Sequence, residues 1–265
     1  MAMPIAPLRA SPVRSGGLCC LFALTVACPA ALSAQSLHSE PVDSFPKQTS
    51  IHWWQGAAVL GGVSALMLLD GTVRQDAQAH RTSAGDRFAE SVRHFGQPEV
   101  YGTVTAGILT AGLVSHNPRL IRTGTRLAGA LAVAGVATNG LKMVAGRGRP
   151  DNQFLDQDPD DFSLFSGHAS WPSGHTAMAF AFATALGDEL HQPVARYGLL
   201  AAATAVGWSR INDNRHWLSD VAAGAAIGIT SAKFASGRWR VFGIRAPSFI
   251  AGPTGGMGLG YHTSF

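Results

Sequence analysis

At 265 residues the chain can bury one sizeable core and is short for two domains. Charged residues are 14% and aromatics 8%, with Gly and Ala abundant, a balance that suits closely packed helices better than a β-sandwich. The formal charge of +4 is carried by scattered arginines without a basic stripe, which argues against a nucleic-acid partner.

The first segment reads as a leader. Arg9 and Arg14 form a positive stretch, residues 18–31 a short apolar one, and "ALSA" ends in small residues before a cut after Ala34. A lipoprotein-type cut before Cys28 is the weaker alternative, because Thr25 and Val26 sit badly upstream. All three cysteines, Cys19, Cys20 and Cys28, fall inside this leader, so the mature chain has no disulfide, thiolate nucleophile or Cys-ligated metal. Export to a bacterial periplasm or envelope follows.

The boundaries read as a signal peptide over 1–34, a linker or disordered arm over 35–49, a helical domain over 50–240 and a tail over 241–265. The expected fold is all-α: a compact bundle of about six main helices with extra surface helices and a short C-terminal β-hairpin. Residues 51–69 are apolar and helical, ending near Asp70-Gly71. Residues 72–94 mix charge with sparse apolar positions, as surface helices do. "FGQP" at 95–98 is a turn. Further helices are expected over 100–114, 126–142, 176–186, 197–208 and 217–233, with a long polar loop over 146–170. In the tail a Pro-Thr-Gly-Gly turn precedes alternating Met257, Leu259, Tyr261, Thr263 and Phe265, a hairpin pattern. Such a strand also resembles outer-membrane strands, but one hairpin cannot span a bilayer with unpaired edges.

Three clusters carry the chemistry: "KMVAGRGRP", "WPSGHT" and "SRINDNRHWLSD". An up-and-down helical chain brings all three to one end of the bundle. Lys142, Arg149 and Arg210 supply three cations, two of them planar forks suited to phosphate oxygens. Ser173 and Gly174 precede a helix start, whose free N–H groups favour an anion. Ser173 either caps that helix or donates its hydroxyl to a ligand. His216 and Asp220 are four residues apart, on one helical face. Asp220 can hold one ring nitrogen and leave the other free to attack, while His175 can protonate a leaving oxygen. Ser-Gly-His occurs twice, at Ser166 and at Ser173; only the second is preceded by Pro and followed by an apolar helix, so the acid is His175 rather than His168. A metal site built on His175, His216 and Asp220 is the alternative, but three nearby cations oppose a divalent ion, so no metal is expected.

At these residues the chain resembles the type 2 phosphatidic acid phosphatase and vanadium haloperoxidase superfamily. The shared signature is Lys, six residues, Arg-Pro; then Pro-Ser-Gly-His; then Ser-Arg, five residues, His, three residues, Asp. It stands here as Lys142 with Arg149-Pro150, Pro172 to His175, and Ser209-Arg210 with His216 and Asp220. The resemblance implies a phosphatase without a cofactor, acting on a phosphorylated lipid or small phosphomonoester. His216 would be the transient phosphohistidine, Asp220 its orienting partner and His175 the general acid. Lys142, Arg149, Ser173, Gly174 and Arg210 would hold the phosphate. A vanadate-dependent haloperoxidase, with vanadate in the same pocket, and a non-catalytic envelope protein on the same fold are the alternatives. Trp171, Phe165 and the early helices are expected at the leaving group. Short apolar runs in the later helices, and a count of crossings that would leave the site in the cytoplasm, favour an exported bundle, soluble or peripherally attached, over an integral inner-membrane protein with its site facing the periplasm.

Overall fold

The computed structural model describes residues 49–151, 162–244, 246, and, by backbone, 248–251 and 257–260. The expected leader, its three cysteines and all but the last residue of the arm lie outside the described residues.

Seven helices are present among the described residues: α1 (Trp53–Ala79), α2 (Ser83–Phe95), α3 (Pro98–Val114), α4 (Pro118–Ala145), α5 (Gly174–Leu190), α6 (Pro193–Asn212) and α7 (Leu218–Ala235). Their starts are written locally. Pro occupies the first turn of α3, α4 and α6, where a missing N–H costs nothing. Thr82 caps α2 by accepting from the Gly85 N–H at 3.1 Å, and Asn117 caps α4 by accepting from the Arg119 N–H at 3.0 Å. Gly146 ends α4 in the left-handed region at φ 60°, with the Ser163 carbonyl pressed where a Cβ would stand.

Helix α5 lies at the centre. One face packs with Leu127 and Leu131 of α4 and Ala232 of α7 through Ala181, Phe182 and Ala185. Its other face meets Ala203 and Val206 of α6 through Ala179 and Ala183. Small residues bring the backbones close: a Cβ on Gly224 of α7 would stand 2.5 Å from the Ser173 carbonyl oxygen at the start of α5. This α5–α7 contact fixes where the two polar ends meet.

The all-α expectation holds, with two small additions. Strands β1 (Thr49–Ile51) and β2 (Trp239–Val241) pair in parallel, tying the chain before α1 to the chain after α7. Three residues offer too little periodicity to announce a strand. In the tail, β3 (Ser248–Ala251) and β4 (Met257–Gly260) pair antiparallel, with Ser248 opposite Gly260, as the alternation predicted.

Two helix boundaries differ from the sequence expectation. Helix α1 does not stop near Asp70-Gly71 but continues to Ala79, because Asp70 is 1% exposed and engaged inside the fold. Helix α4 starts at Pro118 rather than near Arg126, since Arg122 and Arg126 reach across to Glu189 at the end of α5. The later helices are also longer than their apolar runs: 17, 20 and 18 residues for α5, α6 and α7. This removes the span-length argument for a soluble bundle. Helices α1 and α4, at 27 and 28 residues, are long and apolar enough to cross a membrane. In α1 only Val63 and Asp70 are buried, while Trp53, Leu60 and Leu68 are exposed.

Gly224→Ala should therefore lower stability by about 1–3 kcal/mol through overpacking, read as a drop in Tm of several degrees. Gly61→Ala, on the open face of α1 with nothing within 4 Å, should leave Tm unchanged or raise it.

Candidate active site

The three motif clusters do meet. Lys142, in the last turn of α4, donates from Nζ to the Ala169 carbonyl and, at 3.5 Å, to the Ser170 carbonyl. The Ser173 N–H donates to the Asp220 carbonyl at 3.0 Å, joining the second motif to the third. The Trp217 indole N–H donates to the Gly148 carbonyl at 3.0 Å, joining the third to the first.

Ser173 is fully buried and makes no side-chain cap; its Oγ shares a hydrogen bond with Thr176 Oγ1 at 2.9 Å. At Gly174 a Cβ would meet only Lys142 Cε at 3.8 Å and Thr138 Cγ2 at 3.7 Å, so protein packing alone does not demand glycine there. Arg149 is half-buried, and its charge bears on His216 together with that of Lys142. Arg210 is buried, with one terminal nitrogen 2.6 Å from Asp213 Oδ2. Ser209, for which sequence gave no chemical task, accepts from Arg210 Nε at 3.2 Å and donates to the Val206 carbonyl at 2.8 Å, so it aims the arginine.

His216 is 6% exposed and sits in the turn between α6 and α7, where its N–H and that of Arg215 both donate to the Arg210 carbonyl. Its Nδ1 lies 3.2 Å from Asp220 Oδ2. An ionised carboxylate only accepts, so Nδ1 carries the hydrogen and Nε2 keeps its lone pair. Burial pushes the pKa of His216 below the usual 6.5, opposed by Asp220 and reinforced by the charges of Lys142 and Arg149. His175, half-buried in the first turn of α5, is lowered to about 4, first by burial and then by the charges of Arg210, His216 and Lys142; Glu99 acts in the other direction.

Sequence reasoning missed the shell behind His216. Asp220 is wholly buried, and its Oδ2 accepts from Ser170 Oγ at 2.5 Å and from the Trp217 N–H at 3.0 Å besides His216. Its Oδ1 accepts from Arg147 Nη1 at 2.8 Å. Burial alone would raise the Asp220 pKa; hydrogen bonding from His216 and Ser170, with the Arg147 charge, holds it lowered. Arg147 is itself 1% exposed and reaches Asp70 Oδ2 of α1 at 2.8 Å. Its guanidinium lies 5.2 Å from the ring centres of both Phe162 and Trp217. Two signals were available: Arg147 lies between Lys142 and Arg149, and Asp70 is the lone carboxylate in the apolar stretch 51–73.

Among the described residues no group of three or more His, Cys, Asp or Glu side chains converges to hold a metal ion. A separate cleft of about 300 Å³, lined by Asp188, His191, Arg196, Tyr197 and Arg238, contains none of the motif residues. Of the residues expected at the leaving group, Phe165 is exposed, as is Leu164, and Trp171 packs edge-on against Phe162.

Residues 123–241 match the family profile described as the PAP2 superfamily. The chain is 39% identical over 108 residues to a lipid A 1-phosphatase of Rhizobium etli, covering 40% of this chain and 45% of that protein. It is 35% identical over 136 residues to lipid phosphate phosphatase 1 of Arabidopsis thaliana, covering 40% of this chain and 41% of that protein. The chain thus spans under half the length of these curated relatives. The crystal structure of Aquifex aeolicus LpxE matches with a TM-score of 0.50 and 25% identity, over 63% of this chain and 94% of that one.

Both histidines are held neutral at pH 7, and their folded pKa values lie below the unfolded one. Between the unfolded 6.5 and the folded value of about 4 for His175, the unfolded chain binds more protons, so stability is lost as pH falls through that window. The drop in Tm between pH 7 and pH 4.5 should be smaller in His175→Asn than in the wild type.

Proposed function

We propose that this chain, which belongs to the PAP2 superfamily through residues 123–241, is a metal-independent phosphatase that hydrolyses a phosphate monoester of a lipid through a phosphohistidine. The observation that carries this reading is the Nδ1 contact of His216 with Asp220 at 3.2 Å, which leaves Nε2 free to act as a nucleophile in the field of Lys142 and Arg149, with Arg210 acting on the neighbouring His175.

In the first half-reaction His216 Nε2 attacks phosphorus while the P–O bond to the alcohol breaks. His175 gives that oxygen its proton, so the alcohol leaves neutral. In the second, His175 takes a proton from water as the water oxygen attacks phosphorus; the P–N bond breaks and inorganic phosphate departs. Lys142, Arg149 and Arg210 hold the equatorial oxygens, where charge gathers in the transition state. Ser173 and the N–H groups at Gly174 add donors at a helix start. Without substrate, His175, lowered to about 4, is uncharged at neutral pH. A bound phosphate supplies the negative charge that raises it, so the acid forms only with substrate in place.

A lipid substrate is supported by the relatives' names and by the apolar surroundings. Phe162, Leu164 and Phe165 are exposed on the loop that adjoins the site, within reach of an acyl chain. The same reading makes the chain an integral membrane protein with α1 and α4 as crossing segments, whose exposed apolar side chains would face lipid.

The test is turnover of phosphatidic acid in detergent and of p-nitrophenyl phosphate by EDTA-treated protein, with and without vanadate. Both should be hydrolysed in the chelator, the lipid with the higher kcat/KM, and vanadate should inhibit. His216→Ala should lose activity by at least about 10³-fold, as loss of a nucleophile does. A folded His216→Ala protein that still turns over, or activity that disappears with EDTA and returns with metal, would sink the mechanism.

A further inference from the structure

Behind His216 the structure holds more charge than orientation of one imidazole requires. Asp220 could hold Nδ1 alone. Instead Arg147 bridges it to Asp70, 150 positions earlier in the chain, and Ser219 closes the link. The Ser219 N–H donates to Asp70 Oδ1 at 2.9 Å and its hydroxyl to Asp70 Oδ2 at 2.5 Å, while its oxygen accepts from Arg147 Nη1 at 2.7 Å. Every one of these donors is matched to an acceptor, and Asp70, Arg147, Ser219 and Asp220 are each at most 1% exposed.

We propose that Asp70 and Arg147 are positioning residues for the phosphoryl-transfer step, holding Asp220 on His216 and supplying a second buried negative charge that favours a cationic His216. The inference rests on the phosphohistidine reading. Asp70 and Asp220 contribute two negative charges, and Arg147 one positive. As Nε2 bonds to phosphorus, with Nδ1 still protonated, the ring becomes an imidazolium. The carboxylate charge behind the ring then faces a positive one. Asp70 thus acts through Arg147 and Asp220, without touching substrate, and is stabilising in the transition state more than in the resting enzyme.

The charges facing His216 come from several elements: Asp220 on α7, Lys142 on α4, Arg149 and Arg147 on the following loop, His175 on α5 and, through Arg147, Asp70 on α1. Lys142 and Arg149 stay unchanged in every variant of the test.

The experiment compares the full-length wild type with Asp70→Asn, Arg147→Lys and His216→Ala in detergent on phosphatidic acid, from pH 4.5 to 8. Asp70→Asn keeps the shape and removes the charge. Its kcat should fall about 10–100-fold with KM little changed, and the acid limb of kcat/KM should move to lower pH, because His216 is harder to protonate. A mere loss of folded enzyme would leave that limb where it is. Arg147→Lys keeps the charge but cannot reach two carboxylates and a serine together; its kcat should fall with the limb in place, and it carries the test if Asp70→Asn does not fold. Wild-type kcat in either folded variant, an unmoved limb in Asp70→Asn, or an effect confined to KM would overturn the inference. His216→Ala separates the two levels: activity retained there sinks the phosphatase mechanism itself. An inactive His216→Ala beside a wild-type-like Asp70→Asn sinks only the role of Asp70.

Discussion

Arg147 is buried between two carboxylates, Asp70 of α1 and Asp220 of α7. Few arrangements constrain a helical bundle so tightly. A guanidinium removed from water is tolerable only when its donors are met in a fixed plane, and stripping one partner from such a pair costs on the order of 3–5 kcal/mol. The first turn of α7 is therefore pinned to the middle of α1 and to the loop after α4. Trp217 fills the space against the guanidinium and ties itself to the Gly148 carbonyl. The position of His216, one residue before Trp217, follows from that anchor.

Helix α5 sets the other half of the site. Its Ala-rich faces meet α4, α6 and α7 at once, so its start has little freedom to shift. Gly224 lets α7 lie against the Ser173 backbone, and the Ser173 N–H donates to the Asp220 carbonyl. The backbone of Asp220, whose carboxylate holds His216, and the start of α5 thus share one hydrogen bond. Close packing of small residues here serves geometry more than burial of apolar area.

The sequence made the front of the site legible and left its back hidden, for a physical reason. Lys142, Arg149, Ser173, Gly174, His175, Arg210, His216 and Asp220 fall in short motifs whose spacing speaks of chemistry, and the structure brings the clusters that carry them together at one end of the bundle. Their individual roles remain the proposal made above. Asp70 stands alone in an apolar run, where a single carboxylate reads equally well as a helix stop. Only its partner 77 residues on, Arg147, shows that it is buried inside α1 rather than ending it. Strand β1 was invisible for a similar reason: its pairing with Trp239–Val241 joins the two ends of the helical region, and no local pattern encodes it. The tail pair β3–β4 was legible because alternation and turn lie within one short stretch.

Charges of both signs act on His216: Lys142 and Arg149 against its protonation, Asp220 for it. On the proposed mechanism Lys142, Arg149 and Arg210 would hold the phosphate, while Asp220 holds Nδ1 and Arg147 links it to Asp70. On the proposed mechanism, nucleophilic attack would move electron density from the imidazole toward phosphorus, so positive charge would grow next to Asp220 and negative charge on the phosphate oxygens. Lys142, Arg210, Asp220 and Asp70 are held by hydrogen bonds and would need little reorganisation as this happens. Cations alone would bind phosphate but would depress the ring's basicity, as the fields of Lys142 and Arg149 already do to His216. The buried carboxylates offset that penalty. A further cation near Lys142 and Arg149 would deepen it, so on the proposed mechanism the buried carboxylates are what would keep His216 nucleophilic.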